Sequence, residues 1–561
     1  MKTRISAYYK KATKWLLLTS VLFIIVGLNS CNDEDLLKQE SKSKLADASV
    51  LKSKAGFESY IVGLIYQFRQ EWQADDKTYW TQFYNTDMYS AIENTSIKWD
   101  WSQKLTPVTS EAKTYWNWAY IKMIPMTNNI IKYAEESDNA DIWQNEAEKN
   151  AVIAEAKFFR AWTYNILANL FGGVPIVDKV VDEPTFDMVR STRQEVYEFE
   201  KSDLEFAAQW LPETVPASNE GRAVKAAAQH LLTEVCISLG KYDEAITSAS
   251  ELINSGKYQL MTSRFGNYKS EPGDAFSDLF KDGNYNRSSG NLESILIWQI
   301  EEYTIGGVGS YGRGNNFTRG WAPFLTQFKD PSGKAFVYNP AVAGTDTMGR
   351  GAAFVRPSNY ALYDVWKDDW NDMRNSKYNM RRNFYYNNPA STYYLKKWDR
   401  SHAKTEEDTL KRVYPYSLKV EGPLFQGGDG NYKGRNRKDV YIMRLAETYL
   451  LRAEAYIGKG DKAKAVADIN VVRARANATP VAAGDVSLDY ILDERARELM
   501  AEEPRMRTLI RMGKLAERVR LYDIDQVSKT TVQDFNNLWP IPQDAINANT
   551  GAVLGQNPGY N

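Results

Sequence analysis

Ala446-Glu447-Thr448-Tyr449-Leu450-Leu451-Arg452-Ala453-Glu454-Ala455-Tyr456-Ile457-Gly458-Lys459-Gly460-Asp461 is the stretch on which the fold turns. Residues 446–457 read as a helix, Gly458 to Asp461 as a tight turn, and the residues from there to about 476 as a second helix. The pattern recurs 218 residues earlier, where 226–239 precede Gly240-Lys241-Tyr242-Asp243 and a helix from 244 to about 255. Ala228 matches Ala446, Leu232 matches Leu450, Gly240 matches Gly458, Asp243 matches Asp461 and Ala245 matches Ala463. Each match has a physical reason, since alanines let helices approach, glycine allows the turn, and aspartate caps the next helix. A third block, 151–171, has an apolar face of Ala154, Phe158, Ala161, Tyr164 and Ile166 and stops at Gly172-Gly173-Val174-Pro175. It matches the first at Phe158/Leu450, Arg160/Arg452, Ala161/Ala453 and Tyr164/Tyr456. Helix–turn–helix units of about 34 residues have the tetratricopeptide pattern, which buries a continuous core by stacking.

Between the repeats the character changes. Residues 72–101 hold Trp72, Tyr79, Trp80, Phe83, Tyr84, Tyr89, Trp99 and Trp101 among polar neighbours. A glycine-rich stretch, 303–321, carries Tyr303, Tyr311, Phe317 and Trp321. Residues 384–398 add Phe384, Tyr385, Tyr386, Tyr393, Tyr394 and Trp398 around an Asn387-Asn388-Pro389 turn. Short strand-like runs such as 294–299 are interspersed. The expected fold is mostly α: one large domain of tetratricopeptide-like helix pairs with loop-rich, small-strand insertions.

The 561 residues are 43% hydrophobic and 25% charged, which sets aside disorder and a multi-span membrane protein. Of 70 basic residues, Lys2, Arg4, Lys10, Lys11 and Lys14 fall in the first thirty, which hold no acid; the remainder has 65 basic against 71 acidic residues. A mildly acidic surface suits nucleic acid poorly. Two cysteines (Cys31, Cys236) and two histidines (His230, His402) exclude a disulfide framework, a zinc ribbon and a three-histidine site.

The basic start precedes an apolar run, 15–28, suited to the core of a secretory signal. Leu28-Asn29-Ser30-Cys31 resembles a bacterial lipobox, in which the cysteine becomes the lipidated first residue; the alternative is an ordinary signal with an incidental cysteine. Acyl chains at about 0.8 kcal/mol per buried CH₂ would hold such a protein on a bilayer. Asn32-Asp33-Glu34-Asp35 resembles the surface-export signal of Bacteroidetes lipoproteins. The expected organisation is a signal over 1–30, a lipidated tether over 31–48, and one domain over 49–561. Within it, the scaffold includes about 150–260 and 440–515, and the ligand loops about 72–120 and 300–400. Cys236, in an apolar helical run, is expected to be a small core residue.

Four ordered segments resemble the SusD/RagB family of Bacteroidetes outer-membrane lipoproteins. They are Ala154-Glu155-Ala156-Lys157-Phe158-Phe159-Arg160-Ala161 running into Leu170-Phe171-Gly172-Gly173-Val174-Pro175; Gly221-Arg222-Ala223-Val224-Lys225-Ala226-Ala227; residues 444–455 with Asn470, Arg473, Arg475 and Ala476; and Glu494-Arg495-Ala496-Arg497-Glu498 with Leu509-Ile510-Arg511, closing on Trp539-Pro540-Ile541-Pro542 and Gln556-Asn557-Pro558-Gly559-Tyr560. The resemblance implies about four tetratricopeptide-like helix pairs wrapped on one side by loops. It also implies surface capture of a nutrient, usually an oligosaccharide and in some members a peptide, and delivery to a SusC-like TonB-dependent transporter in the outer membrane.

The residues support glycan capture on their own terms. An aromatic ring offers a flat apolar surface to a pyranose C–H face, and Asn, Asp, Gln and Arg offer partners to hydroxyls. In the family the sugar arc draws on an early aromatic loop and a later glycine-rich loop. Gly320-Trp321 resembles the later position, with Tyr303 or Tyr311 as a second platform and Arg313, Asn315, Asn316 and Arg319 as polar partners or, alternatively, parts of a solvated loop. In the early loop, which holds Tyr89, Asn85-Thr86-Asp87 resembles the family's Thr-Asp step, but the tryptophans come later than the family's, at Trp99 and Trp101 around Asp100. On this reading Trp321→Ala weakens glycan binding without unfolding the helices.

Other readings are a catalyst, a pure interaction scaffold and a metal site. Asp368-Asp369 and Glu502-Glu503 sit in no recognisable glycosidase motif, and the second pair is expected to cap a helix or face solvent. No Gly-x-Ser-x-Gly precedes a helix, so no enzyme is expected. A tetratricopeptide stack could bind only a partner protein. No cofactor is expected; calcium is the weaker reading of Asp274 and of Gly427-Gly428-Asp429-Gly430-Asn431, which lack the regular spacing of a calcium loop.

Overall fold

The computed structural model describes residues 47–73, 79–92, 99–137, 142–301, 317–338, 351–422 and 436–560. The segments expected to be an export signal and a tether, with Cys31, lie outside them as far as residue 46. The chain divides into two units at Val50. Of the first, one helical turn, Asp47–Val50, is described; the second, Leu51–Asn561, carries the rest.

Its scaffold is helical. Helices α1 (Lys54–Gln73) and α2 (Ile124–Glu135) pack against each other and against α3 (Glu146–Phe171). Asn145 caps α3 by accepting from Glu148 N, 2.9 Å, and Gly172, at φ +76°, ends it. Then come the pairs α3 with α4 (Arg193–Trp210), α5 (Lys225–Ser238) with α6 (Tyr242–Ile253), and α7 (Leu445–Gly458) with α8 (Lys462–Arg475). They stack in series, α4 on α5 and α6 on α7. The next two helices close the stack: α9 (Leu488–Glu498) lies on α7, and α10 (Arg505–Arg511) packs back on α3. The family-like arginines at 160 and 452 act alike. Arg160 clamps Asp203 of α4 with two bonds of 2.7 and 2.9 Å, and Arg452 clamps Asp468 of α8 with 2.8 and 2.6 Å. Each staples the two helices of its pair.

The offset between the second and third pairs is 220 residues, not 218. Gly240 (φ +71°) and Gly460 (φ +84°) hold the left-handed turn positions. Their turns bond identically, Lys241 N to Cys236 O and Asp461 N to Tyr456 O, both 2.8 Å. The sequence pairs Gly240 with Gly458 because both precede a lysine; Gly458 instead ends α7, where a Cβ would meet the Tyr242 ring at 2.3 Å. At the corrected offset Ala245 and Ala465 are both fully buried, whereas Ala463 is exposed. The correction also removes one cap. Asp461 caps α8 by accepting from Lys464 N, but Lys241 holds the equivalent position in α6, and Asp243 pairs with Lys459 at the surface.

A second apolar core lies outside the scaffold and includes Phe83, Tyr89, Trp298, Trp321, Trp366, Phe384, Tyr386 and Tyr416. Among the described residues three two-stranded antiparallel ribbons frame it: β1 (Tyr89–Ala91) with β3 (Val355–Pro357), β2 (Ser294–Trp298) with β6 (Val440–Arg444), and β4 (Met380–Arg381) with β5 (Tyr416–Ser417). Every ribbon joins segments distant in sequence, so this loop layer is cross-tied.

Buried charge fastens the layer to the scaffold. Glu498, at the end of α9, receives Arg444 from β6, Arg475 from α8 and Arg374 from the loop layer. Arg444 and Arg475 also share Glu293, 2.8 and 3.0 Å, and Arg374 reaches Glu494, 2.7 Å, and Asp372, 2.6 Å. The side chains of these three arginines and of Glu293, Glu494 and Glu498 are each at most 1% exposed. Glu502 and Glu503 are not solvated: Glu502 accepts from Arg444 (2.6 Å) and Lys419, and Glu503 from Arg495 (2.6 Å) and Arg505 (3.1 Å).

Burial alone would raise the Glu498 carboxyl, but Arg475, Arg444 and Arg374 outweigh it and hold it well below the carboxylate range. Against the same burial, Arg374, Arg497 and Arg473 hold Glu494 down to about 2. A carboxyl depressed in the folded state contributes stability that is complete above its unfolded value, about 4.3, and is lost as pH falls through the folded one. Stability measured by urea unfolding is therefore expected to fall between about pH 5 and about pH 2. Glu498→Gln leaves three guanidiniums short of charge and is expected to remove about 3–5 kcal/mol at neutral pH and to flatten that slope.

Candidate functional site

The structure puts most of the sequence-predicted ring platforms inside the molecule. Trp321 ends the short helix Phe317–Trp321 at 2% exposure, with the rings of Phe83 and Tyr89 against it at 5.0 and 4.4 Å. Its carbonyl accepts from the Tyr414 hydroxyl, 3.2 Å. Tyr89 is equally buried and its hydroxyl accepts from Ala501 N, 2.8 Å; burial pushes that phenol far up. Trp101 donates its indole N–H to Ser528 Oγ, 3.0 Å, and is buried too. Trp99 is half-buried, edge-on to Trp101 and to Tyr84, at 5.8 Å from each. Asp100, half-buried between them, accepts from Ser102 N to cap a short helix. Neighbouring charge thus marks the cap, while the tryptophans turn inward to bury their large apolar area.

Arg319 is half-buried, its guanidinium 5.9 Å from the Phe354 ring. Tyr303, Tyr311, Arg313, Asn315 and Asn316 lie outside the described residues. The Asn85-Thr86-Asp87 step is wholly buried and structural. Asp87 accepts from Arg505 (2.9 and 2.7 Å) and Arg518 (3.0 Å). Burial would raise this carboxyl, and the two guanidiniums hold it below its usual range. Asp274 spends its carboxylate on Ser277 N, Ser376 Oγ and Asn379 Nδ2, a cap and a loop tie and not an open calcium ligand; the 427–431 turn lies outside the described residues. Among the described residues no three His, Cys, Asp or Glu side chains converge as a metal site. Cys236 is buried, its thiol pushed up to about 12 by burial.

The rings that do face water lie elsewhere in the same layer. Of eight exposed aromatic side chains among the described residues, Tyr338, Tyr363, Trp370, Tyr385 and Tyr394 fall between 338 and 394. Two groups result. In the first, the Arg382 guanidinium sits 4.6 Å from the Trp370 ring and 5.4 Å from that of Tyr363. Its Nη2 donates to Asn375 Oδ1, 2.6 Å, and Leu362 O, 2.7 Å, so the cation and both rings are held in place. In the second, residues 384–398 double back: Tyr386 N donates to Lys396 O (3.1 Å), Leu395 N to Tyr386 O (2.7 Å) and Trp398 N to Phe384 O (2.8 Å). Alternation sends Phe384 and Tyr386 into the second core and Tyr385 outward. Asn387 Oδ1 takes Tyr338 N at 2.8 Å, and the Tyr386 hydroxyl bonds His402 Nδ1 at 2.8 Å. Three peptide steps, at most about 10 Å of chain, separate Arg382 from Tyr385. Sequence reasoning noted the 384–398 aromatics but passed over Trp370; its signal is a tryptophan beside Asp368-Asp369 in an otherwise polar run.

Two family models match the chain. One, described as the SusD family, spans residues 330–560; the other, described as starch-binding associating with outer membrane, spans 35–237. The chain belongs to the SusD family. Among curated relatives, SusD-like protein P25 of Formosa agariphila is 24% identical over 568 residues, 94% of this chain and 96% of the relative. Among solved structures, a laminarin-binding SusD-like protein superposes with TM-score 0.65 at 22% identity, over 91% of this chain and all of that one. Surface glycan-binding protein A of Bacteroides thetaiotaomicron, in complex with laminarihexaose, gives 0.65 at 20%, over 90% and 99%. The SusD-type architecture thus extends over the chain, second core included.

Trp321 in this SusD-family chain is a core residue, which reverses the expectation set by its loop position. Trp321→Ala is expected to destabilise by about 3–5 kcal/mol through the cavity it opens. Thermal melting would show this as a lowered midpoint.

Proposed function

We propose that the chain is a cell-surface glycan-binding lipoprotein that holds an oligosaccharide on its loop layer and passes it to a TonB-dependent transporter in the outer membrane. One observation carries the binding half: the immobilised pair of outward rings, Trp370 and Tyr363, with Arg382 between them, beside the tyrosine hairpin. Flat rings suit pyranose C–H faces, and the neighbouring Asn, Lys and Arg suit hydroxyls. The protein grips and does not cut. The family's description, the laminarin and laminarihexaose relatives and the Cys31 lipobox all support the reading. Tyr303, Tyr311, Arg313 and Asn315, outside the described residues, remain candidate ligand residues of this reading.

The test is a glycan array on the chain from Asn32 onward, followed by calorimetry with the best hit. Trp370→Ala is expected to weaken binding about tenfold or more, ~1.4 kcal/mol, with the melting temperature unchanged. Unchanged affinity in both Trp370→Ala and Tyr385→Ala would overturn the assignment. For delivery, the lipidated protein purified from membranes is expected to bring a barrel with it; peptide capture without saccharide capture would favour the peptide-receptor alternative.

A further inference from the structure

The tyrosine hairpin is basic in a chain that is not. Residues 377–404 contain seven Lys and Arg and one acid, Asp399, against 70 and 71 over the whole sequence. Asp399 is spent on capping a turn, accepting from Ser401 N at 2.8 Å and from the Ser401 hydroxyl. Arg381 is neutralised by Glu421 (2.9 Å), but Lys396, Lys397, Arg400 and Lys404 stand exposed, with no ion pair among the described residues.

Position matters as much as charge. Tyr385 and Lys397 are directly opposed in an antiparallel bridge. Opposed residues leave the same face of the ribbon with Cβ atoms about 5 Å apart. Because Phe384 and Tyr386 anchor the alternate face in the core, Tyr385 and Lys397 have no inward option. The result is an exposed ring with a lysine side chain leaving the ribbon directly opposite it, and Tyr394 and Tyr338 exposed nearby. The Trp370 platform differs: exposed Asp364, Lys367 and Asp368 flank it in sequence, and with Arg382 their charges cancel, so it holds no surplus of positive charge for an anion.

Resting on the glycan reading above, we infer that the hairpin selects an acidic saccharide. Tyr385 takes the C–H face of a sugar ring, and Lys397, with Lys396 and Arg400 close in sequence, meets a carboxylate or sulfate on that ring or the next. Trp370 takes a neutral unit. Opposite charge at this spacing sets specificity and salt dependence more than total affinity.

The test uses the chain from Asn32 onward, which retains the entire Leu51–Asn561 unit. Calorimetry compares polygalacturonate (carboxylate), a sulfated galactan (sulfate), and amylose and laminarin (neutral), at about 50 and about 500 mM NaCl. One acidic polymer is expected to bind about tenfold or more tighter than either neutral one, and which one assigns the anion. That preference should shrink about tenfold at high salt and in Lys397→Gln, and persist in Lys397→Arg, with melting temperatures unchanged. Equal, salt-insensitive binding of neutral and acidic polymers would overturn the inference and leave the glycan reading standing. Binding of no saccharide would overturn both.

Discussion

One carboxylate, Glu498, faces three guanidiniums where water does not reach, and the molecule is organised around that encounter. Burying such charges is expensive, and well-packed apolar residues could have supplied as much stability. What the network supplies is place. Arg374 belongs to the loop layer, Arg444 to a ribbon, Arg475 and Glu498 to the scaffold, and their bonds to one another require all three parts to sit in register. Several residues that mark the family in the sequence, at 444, 473, 475, 494, 497 and 498, are members of this network or bond directly to it. Their role is architectural.

The separation of two cores follows from that join. The helical pairs bury their own apolar faces, and the layer buries Trp321, Tyr89 and Phe384 in a core of its own. Surface loops of the layer can therefore change chemistry without disturbing the stack, and the outward Tyr385 owes its fixed position to inward neighbours one residue away.

Helices were readable in the sequence because their signals are local: spacing of apolar residues and a stop at Gly172. The inner and outer faces of the loops were not. A tryptophan beside glycine or aspartate looks solvent-bound, yet Trp321 packs on Phe83 and Trp101 bonds Ser528, partners hundreds of residues away along the chain. Such partners leave no trace at short range. The same limit hid the charge network, whose arginines and glutamates were legible as a motif but not as a cluster. It also made Glu502-Glu503 look solvated. The aromatic run 384–398 was legible as part of the loop region from its rings and its Asn387-Asn388-Pro389 turn, but which of its rings face water emerges only from the pairing of Tyr385 with Lys397.

The two-residue difference between 218 and 220 has a bearing on how such repeats can be recombined. Each residue turns a helix by about 100°, so an exchange of the second and third helical units cut at the wrong spacing would rotate the graft by roughly 200° and bring Ala463, Val466, Ala467 and Asn470 to the buried positions of Ala245, Ser248, Ala249 and Leu252. Cut with Gly240 and Gly460 aligned, the incoming unit would keep its alanines against its neighbours. A repeat protein of this kind can thus be shuffled only in the phase set by its left-handed glycines.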